Sequence, residues 1–138
     1  MQRKIITYPD KRLFERSLKV QNFDENLHAL LDDMYETMIS GNGIGLAAIQ
    51  VAEPLQIFLA NLPDENDEIK KENLLEFINP ELEFIGTEKI LCNEGCLSVP
   101  NFFEEVERYK SVRVRYQDRF GKAQSLEAND FLAVVIQH

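Results

Sequence analysis

With 138 residues, 44% of them hydrophobic and 28% charged, the chain has the length and composition of one domain able to bury a core, residues 1–138. A net charge of −9 argues against nucleic-acid backbone or anionic membrane surfaces as its main partner, and no run approaches ~18 consecutive apolar residues. Cys92 and Cys96 have the wrong spacing for a disulfide framework or a redox pair, and the basic start MQRKIITYPD lacks a secretory apolar stretch, so a reducing cytoplasm is expected.

In chain order, Pro9-Asp10 supplies turn chemistry. The stretch FDENLHALLDDMYETMIS predicts a helix with Asp24 as N-cap and Leu27, Leu30, Leu31, Met34 and Met38 as one buried stripe. Gly41 and Gly43 are expected to end it, with His28 near the wet face. GLAAIQV and QIFLANL predict two strands, followed by an exposed charged loop over 63–73. LLEFINP and ELEFIGTEKI read as further strands around Pro80. SVRVRYQDRFGKAQSLEA is the clearest hairpin, because Val112, Val114 and Tyr116 alternate with polar residues and Asp118–Gly121 supplies a turn. ANDFLAVVIQH predicts a helix starting near Asn129 or Asp130, apolar on every side and therefore central. The expected fold is α+β: a strand-rich middle of antiparallel sheets and hairpins around a buried C-terminal helix, with an N-terminal amphipathic helix.

Three segments can carry chemistry. In GNGIGLAAIQ, Gly43-Ile44-Gly45 permits positive φ or close approach of a ligand to the backbone. A plain glycine turn is the competing reading, since the run is neither a dinucleotide fingerprint nor a phosphate loop. The turn does not account for Gln50, an amide at the end of an apolar run that can donate to a developing oxyanion. In EGCLSVP, Cys96 is a small buried hydrophobe, a nucleophile or a metal ligand. Cys92 ranks below it as a second sulfur. The third segment, VVIQH, ends on His138. A lone histidine on an apolar helix is ordinarily a core residue, but helical ligand pairs begin this way, with Glu next and a second His four residues on.

Together the three segments resemble peptide deformylase. That family carries Gly-x-Gly-Leu-Ala-Ala-x-Gln, then Glu-Gly-Cys-Leu-Ser, then a helix opening Gln-His-Glu with a second His four residues after the first. Gly43–Gln50 and Glu94–Ser98 match the first two in full, and Gln137-His138 matches the first two letters of the third. The resemblance implies removal of the formyl group from the N-terminal formyl-methionine of newly made polypeptides. It implies a divalent metal, Fe(2+) in cells with Ni, Co or Zn as substitutes, held by Cys96 and His138 and by a second imidazole one helical turn on. Gln50 and the Leu97 backbone N–H would face the developing oxyanion, and Gly43, Ile44, Gly45, Glu94 and Gly95 would bind substrate. The implied partners are N-formyl-methionyl nascent peptides, which brings ribosome proximity without direct nucleic-acid binding, no membrane, and a monomer.

The family's glutamate and second histidine would fall after His138. Taken literally, these 138 residues are expected to be an incompetent fragment lacking the end of the domain. The alternative is a non-catalytic truncated homologue that binds N-terminal peptides along the same groove. A third reading, a structural zinc site from Cys92, Cys96, His138 and His28, has poor ligand spacing.

Overall fold

The computed structural model of the chain describes the backbone of residues 1–96 and 99–137, with side chains for all of these except Asn93, Cys96 and residues 99–104. Helix α1 is Glu25–Ser40 and helix α2 is Asp130–Gln137. Strands β1 (Gly45–Ala47), β2 (Ile57–Ala60), β3 (Leu75–Cys96), β4 (Val99–Gln117) and β5 (Ala123–Asn129) form one antiparallel sheet in the order β1-β2-β3-β4-β5. This is the expected α+β architecture.

The sheet lies between the two helices, and strand alternation decides which residue faces which. Ile57 and Leu59 of β2 join Leu46 and Ile78 against the α1 stripe of Leu27, Leu30, Leu31, Met34 and Met38. Ala60, Phe77 and Val114 face the other way and meet Val135 of α2, while Val112 and Ala128 meet Ala133. Each fully buried Leu, Met or Phe contributes roughly 1.5–3 kcal/mol of apolar transfer energy, so the sheet is held from both sides.

Asp24 caps α1 as its sequence predicts, accepting from the Leu27 N–H at 3.1 Å. The exit differs from expectation. Asn42, not a glycine, takes the left-handed conformation, with φ 57°. The Asn42 N–H reaches Ile39 C=O at 3.0 Å and the Gly43 N–H reaches Met38 C=O at 2.9 Å, a Schellman closure. Neither Gly43 nor Gly45 has positive φ among the described residues, so the expected backbone freedom at 43–45 is not what the turn uses.

Three further expectations are corrected. Of GLAAIQV, only Gly45–Ala47 is strand; Ala48–Val51 winds into a 3-10 turn closed by Ala52 at φ 65°. The two strands around Pro80 are one continuous strand, β3, which absorbs the proline at a register shift between Ile78 and Glu81. Phe131 of α2 is 48% exposed, so that helix is not buried on every side; Ala133, Val134 and Val135 carry its packing. Among the described residues, no helix is long and apolar enough to cross a membrane.

Candidate active site

β1 is an end strand of the sheet and pairs only with β2. The Asn61 N–H donates to Ile44 C=O at 2.8 Å, which makes 44 and 61 a hydrogen-bonded pair. Antiparallel alternation then turns the main-chain polar groups of Gly45 and Ala47 toward the outer edge. The Ala47 N–H is taken by Gln50 Oε1 at 2.9 Å. That bond orients the Gln50 amide at the end of the edge strand, with its Nε2 end as the donor end. The 3-10 turn over Ala48–Val51 brings Gln50 back to Ala47, a placement that a straight strand would not give. A Cβ on Gly45 would lie 3.0 Å from Phe58 Cζ and 3.3 Å from its Cε2, so the bare glycine is needed for packing inside the sheet.

Glu94 lies two residues before Cys96 on β3. Arg108 of β4 grips it with both arms: Nε donates to Oε2 and Nη2 to Oε1, each at 3.0 Å. The Glu94 side chain is only 7% exposed, so this is a largely desolvated bidentate pair. Its hydrogen bond, opposed by burial, raises the Arg108 pKa above the ordinary guanidinium value. Gly95 is exposed beside it.

Gln137 closes α2. Its Oε1 accepts from the Tyr109 N–H at 2.8 Å, and its Nε2 donates to Tyr109 C=O at 2.6 Å and to Ala133 C=O at 3.0 Å. Arg108 and Tyr109 are neighbours, so consecutive residues of β4 hold the approach to Cys96 through a side chain and the approach to His138 through the main chain. The first segment joins the third by packing: Ile44 and Ile136 both lie against the cluster of Ala60, Phe77, Val114 and Val135.

The structure therefore positions Gly43, Ile44, Gly45, Gln50, Glu94 and Gly95. Leu97, His138 and the Cys96 side chain lie outside the described residues. Among the described residues, no three His, Cys, Asp or Glu side chains come together as a metal site. His28 is committed elsewhere: its Nε2 bonds Arg119 C=O at 2.8 Å and its ring meets Phe120 edge-on at 5.3 Å. Cys92 is half-buried on β3. Sequence reasoning assigned no role to Arg108, Tyr109 or the Gln137 side chain. The available signal was an acidic residue inside a strand, which needs a cation once it is buried, but the strand register that selects Arg108 is not written locally.

An edge strand open along one side, ending at an oriented amide, places the molecule among enzymes that hold an extended peptide and hydrolyse an acyl bond on it. Comparison with known proteins identifies which. The polypeptide deformylase family model matches residues 2–138. The peptide deformylase of Campylobacter jejuni is 64% identical over 138 residues, covering all of this chain and 79% of that protein. The peptide deformylase of Helicobacter pylori strain J99 is 53% identical over 135 residues, covering 97% and 76%. Among solved structures, peptide deformylase from Ehrlichia chaffeensis superposes with a TM-score of 0.89 at 39% identity, covering 100% of this chain and 80% of that one. The Thermotoga maritima peptide deformylase gives 0.91 at 35% identity, covering 100% and 88%. The chain belongs to the polypeptide deformylase family, metal-dependent hydrolases that act on N-formyl-methionyl peptides.

Proposed function

We propose that this chain removes the formyl group from the N-terminal formyl-methionine of newly made polypeptides, as one catalytic domain working as a monomer in the cytoplasm. The observation that carries this reading is the pair Arg108–Tyr109, which ties the segment leading to Cys96 and the segment leading to His138 to adjacent residues of one strand. Substrate would be met as it leaves the ribosome, with no RNA contact invoked for an acidic chain.

The peptide lies as an extra strand along the outer edge of β1, against Gly43, Ile44 and Gly45 on one side and Glu94 and Gly95 on the other. The Gln50 Nε2 and the Leu97 N–H donate to the formyl oxygen as it gains charge. Glu94 is already saturated on one side by Arg108, so its part is to shape the wall of the groove rather than to move a proton. The Cys96 thiolate and the His138 imidazole are the donors that would hold the metal. One soft sulfur and one borderline nitrogen suit ferrous iron, with nickel, cobalt or zinc as substitutes. When bound, that ion supplies Lewis acidity toward the formyl oxygen and toward water.

A polypeptide of just these 138 residues is expected to bind N-formyl-Met-Ala-Ser without releasing formate. The same polypeptide, continued with the segment that follows the matching histidine in the Campylobacter jejuni relative, is expected to release it. Calorimetry reads the binding and a formate assay the turnover. Gln50→Leu in the continued chain is expected to cost about 100-fold in kcat with little change in KM. No binding by either polypeptide, together with no formate from the continued one, sinks the reading.

A further inference from the structure

We infer that Gln137 is a positioning residue whose amide clamp on Tyr109 sets the direction from which His138 meets the metal; this rests on the reading of His138 as a ligand.

The pairing of β5 with β4 ends at Asn129 opposite Ser111, two residues short of Tyr109. There the Gln137 side chain takes over, giving Tyr109 both of the hydrogen bonds a neighbouring strand would give. Its second amide proton goes back to Ala133 C=O in its own helix. One planar group therefore fastens the last turn of α2 both to itself and to β4.

Adhesion does not require this. Ala133, Val134 and Val135 are already buried, and an apolar residue at 137 would extend that contact. What the amide adds is direction, because two antiparallel hydrogen bonds to one residue fix rotation as well as distance. The Cα of the next residue is ~3.8 Å away across one peptide, so a clamp at 137 leaves His138 little freedom at its own backbone. Arg108 acts alongside: it holds Glu94, two residues before Cys96. Arrangements that orient a ligand from outside the coordination shell typically change metal affinity 10–100-fold when removed.

The test is a Co(2+) titration of the protein, followed by the thiolate-to-cobalt band and the ligand-field bands, with amide exchange at Tyr109 measured alongside. Gln137→Leu is expected to weaken Co(2+) about 10–100-fold, alter the ligand-field intensities and unprotect the Tyr109 amide. Gln137→Glu keeps the acceptor but loses the donor and is expected to fall between that variant and wild type. Leu31→Ala, in the α1 core, controls for general destabilisation and is expected to leave Co(2+) affinity within about twofold of wild type even though it lowers Tm. Wild-type affinity in Gln137→Leu despite an unprotected Tyr109 amide overturns the inference. So does an equal loss in Leu31→Ala. Absence of a thiolate band in wild type overturns the ligand reading itself, and the inference with it.

Discussion

The two ends of β4 use the same device for different ends. Near its start, Arg108 grips Glu94 of β3 and the Tyr109 main chain is held by Gln137 of α2. Just past its other end, Arg119 grips Glu76 of β3 through two bonds of 3.0 and 2.7 Å, and its carbonyl is held by His28 of α1. The exposures are nearly alike, 26% and 7% for the first pair against 25% and 15% for the second. The difference is redundancy. Arg119 has a second carboxylate, Asp32 of α1, at 3.0 Å, whereas among the described residues Arg108 has none. The turn end is built to hold a helix against loss of any one contact. The Glu94 end concentrates its hold on a single pair beside the residues that carry the chemistry.

That contrast can be broken most forcefully through the cores behind each end. Phe77, 1% exposed, underlies Ile44 and Val135, while Leu31, fully buried, anchors α1. Phe77→Ala is expected to cost about 3–5 kcal/mol and Leu31→Ala about 2–5 kcal/mol in urea unfolding. Only Phe77→Ala should also weaken formyl-peptide binding measured under conditions where both variants are folded. Equal losses of binding would mean that the two regions are not separable.

At the ion pairs the expected effect is smaller. Glu94→Ala leaves a partly buried guanidinium without its carboxylate and is expected to cost about 2–3 kcal/mol, against about 1 kcal/mol for Glu76→Ala, where Asp32 remains. Urea midpoints measured side by side decide this, and a larger loss for Glu76→Ala would reverse the argument from redundancy.

Acid should act at the turn end first. The N–H groups of Lys122 and Phe120 donate to the Asp118 carboxylate at 3.0 and 2.9 Å, and those bonds hold its pKa below the usual carboxylate value. A depressed pKa contributes stability above the unfolded value, near 4, that is lost as pH falls through the lower folded value. The drop in urea midpoint between pH 6 and pH 3 is therefore expected to be smaller in Asp118→Asn than in wild type. An unchanged drop would show that the turn carries no such linkage. The Arg108 shift is upward from an already high value, so no corresponding loss arises at the Glu94 end in this window.

Much of the fold was legible because its signals are local. Asp24 as N-cap, the α1 stripe, the Asp118–Gly121 turn and the start of α2 at Asp130 follow from capping, period and turn chemistry within a few residues. The misreadings fall where tertiary contacts override local preference. Ala48–Val51 looks like strand but turns so that Gln50 can cap Ala47. Asn42 takes the left-handed position that the nearby glycines invited, because the Schellman bonds fall on its neighbours. Pro80 reads as a break but sits at a register shift inside β3.

By itself, the sequence determined the α+β class, the three motifs and the residue types that a formyl hydrolase needs, since chemistry and periodicity are properties of short stretches. Only the tertiary structure decided that Arg108 meets Glu94, that Gln137 closes on Tyr109, and that Ile44 and Ile136 share one core. Those pairings depend on the register of a long bulged hairpin and on how a helix packs across it. A shift of one residue would turn every one of those side chains to the other face.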